Sequence, residues 1–382
     1  MSERIAILTN FVGPYRPALF HQLAQRCGEL RVLVSGGGGH TGERPAEWAG
    51  LPIRAQRNIR FKREWRHPHE FRETLAIHVP YDTIPQLLQF RPSAIVSGEL
   101  GMRTLQATVF RWIAGRTRLV IWATLSEITE QGRGWVRPIL RRVLLHSADA
   151  VIVNGDSGSR YVRRFGVDAE RIFQVPQTTE LAPFLESRIK KEAPNRHRLL
   201  YCGRLIPFKG LVPFVTLLSQ WCRAHPSRQT ELWMAGDGPV KQDLSLLPLP
   251  PNLTVRMLGH VSYDRLPEVY RDCGVFVFPT LADEWGLVVV EAMASGLPIL
   301  GSLYSQAVED LVADGQNGWI FRPDRADEVL RGLDSALGAS DEQLESMGLR
   351  ARQRVQTMTP SDMADRMMNA IQYALLAGTQ SS

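Results

Sequence analysis

The chain has 382 residues, of which 44% are apolar and 22% charged, and its formal net charge is +6. That length exceeds what a single core supports, so two domains are expected, and the composition is that of a globular protein rather than a disordered one. Four cysteines without CxxC spacing argue against a disulfide framework or a zinc site, no stretch reaches the ~20 apolar residues of a membrane span, and the opening MSERIAILTN lacks a signal peptide's layout. Reduced thiols and a cytoplasmic location are therefore the expectation.

The charge is uneven. Residues 1–180 carry 25 Lys+Arg against 16 Asp+Glu, a net of +9, and the remainder carries 20 against 23, a net of −3. A basic first half beside a near-neutral second half implies different partners for the two.

Residues 4–9 read as a first strand, 10–16 as a loop, and Pro17 opens a helix whose apolar side chains are Leu19, Phe20 and Leu23. Residues 30–34 read as the second strand. No GxGxxG follows the first strand, so the nicotinamide-dinucleotide fingerprint is missing, and the glycine run 36–39 reads as a mobile loop. Residues 54–72 are dense in arginine and include Trp65, His67 and His69. Histidines two apart share no helix face, so no metal is expected there. Residues 94–97, 119–124 and 150–154 are further strands, and Ser157 is a candidate cap for the helix after the last.

Residues 134–146 interleave Trp135, Ile139, Leu140, Val143 and Leu144 with Arg137, Arg141 and Arg142. Two readings stay open: an ordinary amphipathic helix with snorkelling arginines, or a helix docking on anionic lipid or a lipid-linked acceptor. No aromatic-basic platform supports nucleic acid as a partner.

Residues 179–198 carry a charged run and prolines and read as a linker. A second αβ unit opens with the strand at 199–202, the loop Gly203-Arg204-Leu205-Ile206-Pro207-Phe208-Lys209-Gly210 and a helix at 211–221. A strand at 230–235 ends in Gly236-Asp237-Gly238, and one at 255–258 ends in Gly259-His260-Val261. After the strand at 275–279 comes Leu281-Ala282-Asp283-Glu284-Trp285-Gly286, then a helix from Leu287 to Ala294. The valine run 288–290 suits a strand, but Glu291-Ala292-Met293-Ala294 and the C-cap position of Gly296 favour a helix. A strand, a glycine loop and a helix N-terminus form an anion site in open α/β sheets. Asp283 and Glu291, eight positions apart, would repel phosphate but suit hydroxyls, because a carboxylate only accepts. A ligand with both phosphates and sugar hydroxyls satisfies both. Helices at 324–337, 341–357 and 361–376 complete the chain, with Met363, Met367 and Met368 as core packing.

The segment from Asp283 to Gly301 resembles the Glu-x7-Glu signature of the retaining glycosyltransferases of family 4, and the Gly203–Gly210 loop resembles their diphosphate site. The resemblance is strong over 199–330 and one of layout before that. It implies the GT-B fold: two Rossmann-like, doubly wound parallel-sheet α/β domains facing a central cleft. The implied division is an acceptor domain at 1–178, a linker at 179–198, a donor domain at 199–360 and a helix at 361–382 returning to the first domain.

The resemblance implies transfer of a sugar from a nucleotide-diphosphate sugar to a glycan or lipid-linked acceptor with retention, with no metal and no cofactor beyond the nucleotide-sugar co-substrate. Arg204 and Lys209 would hold the departing diphosphate with the amides around Gly286 and Leu287, Asp283 would orient sugar hydroxyls, and Glu291 would grip the ribose. Gly236, His260, Val261 and Trp285 would line the donor. Gly13, Tyr15 and Arg16, in the loop after the first strand, are candidate donor or acceptor contacts, with ordinary turn chemistry as the alternative. The chain departs from the family at three places. The first acid is Asp283, one methylene short. Glu284 stands where glycine or proline is usual and competes for that role. Ser126 and Glu127 replace a His-Asp pair that touches the sugar. An anionic membrane surface suits the basic first half, which would place the protein peripherally on the inner face of the membrane. A nucleotide-sugar epimerase of the same fold and a non-enzymatic basic membrane binder are the alternatives.

Overall fold

Continuous apolar runs of four to six residues recur between helical stretches along this chain, the pattern of strands buried on both faces of parallel sheets. The computed structural model describes all residues except 1–2, 37–49, 69–70, 135, 188, 190–194, 196 and 378–382. The glycines at 37–39, together with Trp135 and His69, therefore lie outside the described residues. The chain forms two compact units, 1–180 with 358–382, and 181–357.

In the first unit the chain runs β1 (Arg4–Thr9), α1 (Arg16–Ala24), β2 (Glu29–Val34), β3 (Ile53–Ala55), β4 (Asn58–Arg66), β5 (Arg72–Pro80), α2 (Thr83–Phe90), β6 (Ala94–Gly98), α3 (Met102–Ala114), β7 (Arg118–Ala123), α4 (Val136–Ser147), β8 (Ala150–Val153), α5 (Asp156–Arg163) and β9 (Ile172–Gln174). Seven of these strands pair in the order β3-β2-β1-β6-β7-β8-β9, all in parallel. Alternate residues of β1 feed separate cores on the two faces: Ile5 and Ile7 on one, Ala6 and Leu8 on the other. β4 and β5 stand apart as an antiparallel ribbon, to which the sequence reading of the arginine-dense stretch assigned no element. Its tip is pinned by Trp65, His67 and Phe71, whose rings lie within 5.3 Å of one another. His67 Nε2 bonds the Ile128 carbonyl at 2.9 Å.

The second unit runs α6 (Ala182–Leu185), β10 (Leu199–Cys202), α7 (Leu211–Ala224), β11 (Thr230–Ala235), α8 (Lys241–Ser245), β12 (Leu253–Gly259), α9 (Leu266–Arg271), β13 (Val275–Phe278), α10 (Leu287–Ala294), β14 (Ile299–Ser302), α11 (Gln306–Leu311), β15 (Gly318–Phe321), α12 (Ala326–Gly338) and α13 (Asp341–Val355). Its six strands pair in parallel in the order β12-β11-β10-β13-β14-β15. The stretch expected as linker is in part structural: Phe184 of α6 is fully buried and packs edge-on against Tyr270 at 5.5 Å. A ring of that size stabilises by ~2–3 kcal/mol when removed from water, enough to hold a four-residue helix that could not stand alone. The valines 288–290 are helical, because the tertiary burial of α10 overrides their β propensity.

The last helix, α14 (Pro360–Ala377), belongs to the first unit. Met363, Met367, Met368, Ile371 and Ala374 share a core with β1, β2 and β6 to β8. Arg26 fastens it to α1 through Asp365 at 2.7 Å.

Candidate active site

In a doubly wound sheet the crevice lies at the carboxyl ends of the strands where the order reverses. In the second unit that point falls between β10 and β13. The loops leaving those two strands are 203–210 and 279–286, the two stretches that the sequence singles out.

Lys209 crosses from the first loop to the second and ion-pairs with Asp283 Oδ2. Both are mostly buried, and the ammonium lies 5.1 Å from the ring centres of Phe208 and Phe278. Arg204 is exposed, its guanidinium 5.9 Å from the Phe208 ring. The loop carrying it is fixed from beneath, where the Tyr201 hydroxyl donates to the Arg204 carbonyl at 2.9 Å. Asp283 also accepts from the Trp285 amide at 3.2 Å and donates its own amide to Tyr304 O at 2.9 Å. Its carboxylate is thus the acceptor around which the turn closes. Glu284, its rival for the role of first acid, is exposed, and its carbonyl accepts from Gln306 Nε2 at 2.5 Å.

Gly286 sits in the left-handed region at φ 104° as N-cap of α10, where a Cβ would stand 2.8 Å from Ser305 Oγ. Only glycine lets the chain turn there and leave the first amides of α10 open toward a ligand. No acidic residue occupies the first turn of this helix, so its positive end is not neutralised locally. Trp285 was expected among the residues lining the donor; its indole is 1% exposed and forms part of the support under the loop. Its carbonyl is held by Ser305 Oγ at 2.6 Å and by the Ala307 amide at 2.9 Å.

Glu291 is 3% exposed, and its Oε2 accepts from the Tyr270 hydroxyl at 3.0 Å. Burial pushes its carboxyl up to about 7, against which the Tyr270 hydrogen bond pulls down. Buried Cys202 lies in the same cluster, its thiol pushed up to about 12 by burial first and then by Glu291. Tyr270 has no motif to mark it. Its only trace in the sequence is a large aromatic in a short helix just ahead of β13.

Gly236 packs its backbone directly on the neighbouring loop: a Cβ there would lie 1.9 Å from Gly203 O, and its amide donates to Gly259 O at 2.7 Å. His260 is exposed and Val261 half-buried at the end of β12. These residues and the Lys209–Asp283 pair all belong to the carboxyl edge of one sheet.

The first unit brings together only part of what was expected of it. Gly13, Tyr15 and Arg16 form the turn after β1, with the Arg16 amide donating to Gly13 O at 3.0 Å. Ser126 and Glu127, which stand where the family's His-Asp pair is expected, both have partners within the first unit. Ser126 is 2% exposed, and its hydroxyl accepts from the Thr129 amide at 3.1 Å. Glu127 is ion-paired with Arg160 at 2.8 Å and with Arg164. Ser157 does not cap α5; its hydroxyl accepts from the Glu127 amide at 2.9 Å, and the N-cap is Gly155.

Two family models cover most of the chain: "Glycosyl transferase 4-like domain" matches residues 12–178 and "Glycosyl transferases group 1" matches residues 185–354. The chain belongs to the family 4 glycosyltransferases. Its two parallel-sheet α/β units are those of the GT-B fold. The D-inositol 3-phosphate glycosyltransferase of Nocardia farcinica is 27% identical over 254 residues, covering 63% of this chain and 56% of that protein. The chain thus spans about half the length of the curated relatives it matches. In three dimensions it is similar to Anabaena HepE in complex with UDP, with TM-score 0.70, 18% identity and coverage of 97% and 99% of the two chains. It is likewise similar to the lipopolysaccharide outer core galactosyltransferase WaaB in its apo form, with TM-score 0.71, 13% identity and coverage of 96% and 99%.

Proposed function

We propose that this glycosyltransferase moves a sugar from a nucleotide-diphosphate donor to a glycan or lipid-linked acceptor, with retention and without a metal. The observation that carries the reading is the meeting of Arg204, Lys209 and the uncapped N-terminus of α10 at the β10/β13 switch point. The diphosphate takes the amides of Leu287 and Val288 and the two cations. Arg204 offers a planar fork and Lys209 a point charge. As the sugar–phosphate bond breaks, negative charge grows on the leaving oxygen, and these fixed donors stabilise it more than they stabilise the ground state. Asp283, paired with Lys209 until phosphate competes for the ammonium, then faces the sugar hydroxyls. Glu291 in its ionised form accepts from ribose hydroxyls. UDP in a solved structure of similar fold supports a uridine donor.

An apolar face on the first unit supports a peripheral membrane location. α4 turns Arg141 inward to Glu130 at 2.5 Å and leaves Val136, Ile139 and Val143 exposed, while Trp112 and Ile113 at the end of α3 are 71% and 62% exposed. Of the two readings open for that helix, this favours docking, although Arg142 stays exposed.

The test is a thermal-shift panel of UDP-, GDP- and ADP-sugars on the full chain. One nucleotide class should raise the melting temperature, and the rise should vanish in Lys209→Ala. No shift with any of them, in a folded protein, overturns the reading.

A further inference from the structure

The sheet of the first unit has its own switch point, between β1 and β6. Two arginines reach that edge. Arg16 Nη1 donates to Thr9 Oγ1 at 2.8 Å, at the end of β1. Arg103 Nη1 donates to Ser35 Oγ at 2.7 Å, just past the end of β2, and the Ser35 amide in turn bonds Thr9 O at 3.1 Å. Arg103 is 5% exposed, and the charge of Arg16 is among the influences that hold its guanidinium below the usual range, after burial. Two like charges brought together at a strand edge cost energy unless something anionic joins them.

The donors there are also incompletely used. Arg16 Nε, Arg103 Nε and Trp122 Nε1 are buried with no partner among the described residues. Trp122 is 2% exposed and lies under Arg16, whose guanidinium stands 4.7 Å from its ring. Buried N–H groups are almost always paired, so three unmet donors around one strand edge point to an acceptor-rich ligand. Asn10 Oδ1, unpaired at the same edge, suits a hydroxyl on that ligand.

One carboxylate is already present: Glu99 Oε2 accepts from Arg103 Nη2 at 2.6 Å. Glu99 is held at φ 69°, a left-handed conformation that is strained for a non-glycine residue. Its side chain is 56% exposed while its partner is buried. An incoming oxyanion therefore displaces the acid, which swings into water, and not the arginine.

We propose that this edge is an oxyanion pocket for the acceptor, with Arg16, Arg103 and the Trp122 indole N–H taking a phosphate group that the acceptor carries. The proposal rests on the transferase reading for the word acceptor, but the anion site stands on the first unit alone.

The test follows the melting temperature of the full chain in sodium phosphate against sodium chloride at equal ionic strength. Phosphate should stabilise the wild type. Lys209→Ala should keep the Arg16-dependent part of that response, since it removes a cation only from the second unit. Arg16→Gln should weaken the phosphate midpoint about tenfold or more, as expected for loss of a charged hydrogen bond. Glu99→Gln should tighten it. Arg16 is half-buried, so its variant carries the test even where Arg103→Gln fails to fold. Glycerol 3-phosphate and phosphatidylcholine vesicles with or without phosphatidic acid then separate a soluble phosphate from a lipid headgroup. Dependence on Arg16 in either arm upholds the pocket and assigns its source. A wild-type phosphate response in Arg16→Gln, or a wild type no more stable in phosphate than in chloride, overturns it. Nucleotide-sugar shifts read on the wild type and on Arg16→Gln keep the two readings apart: their absence from the wild type alone sinks the transferase reading, and absence of the Arg16-dependent phosphate response alone sinks this one.

Discussion

Glu291→Gln should make the second unit more stable, and only above a certain pH. The carboxyl ordinarily titrates near 4.5, and burial in the folded chain raises that to about 7. Below pH ~4.5 it is protonated in both states and costs nothing. Between ~4.5 and ~7 the unfolded chain ionises while the folded one holds its proton, so stability falls as pH rises. Above ~7 the penalty is complete. At ~1.4 kcal/mol per tenfold, the gap amounts to about 3 kcal/mol. Glutamine keeps an oxygen to accept from the Tyr270 hydroxyl and carries no charge, so it escapes the penalty. The variant should therefore match wild type at pH 4.5–5 and exceed it by up to ~3 kcal/mol at pH 8, roughly 6–12 °C in the melting temperature of a unit this size. Differential scanning calorimetry between pH 5 and 8 reads this directly. Transfer activity should fall in the same variant, because the ionised carboxylate is what the ribose needs. A stability difference that does not vary with pH, or a variant less stable at pH 8, would refute the account of Glu291.

Lys209→Ala should lower turnover by about 10²–10³-fold, the usual cost of removing one fixed donor from a developing anion; steady-state kinetics near wild type would remove it from the diphosphate role. Gly236→Ala should destabilise the second unit by about 2–4 kcal/mol in urea unfolding, because its φ of 151° and the 1.9 Å approach to Gly203 O leave no room for a methyl group.

Much of the second unit was legible because its chemistry and its fold coincide in sequence. The strand at 275–278, the loop to Gly286 and α10 are consecutive, so one stretch of sequence holds the switch-point loop and the helix end together. The first unit was less legible for a physical reason. The pocket proposed there is assembled from Thr9, Arg16, Ser35, Glu99, Arg103 and Trp122, which the β1/β2, β1/β6 and β6/β7 pairings bring to one edge. The β4/β5 ribbon was missed because it packs little against a core. Ile59, Phe61 and Ile77 stay exposed, so no inward alternation marks it. A hydroxyl and an acid after a strand, as at Ser126 and Glu127, read alike in sequence whatever they meet, and the bonds to Thr129 and two arginines show only in the fold. The burial of the Trp285 indole was not legible, because an aromatic in a glycine loop can face a ligand or prop the loop equally well.

The methionine face of α14 has a bearing on how the molecule is made. The second unit is one unbroken stretch of polypeptide and can reach its native form as soon as residue 357 is available. The first unit cannot. The apolar surface of β1, β6, β7 and β8 waits for Met363, Met367, Met368 and Ile371, which leave the ribosome about 270 residues after β6. Strands made before the whole of the second unit are thus sealed only after it.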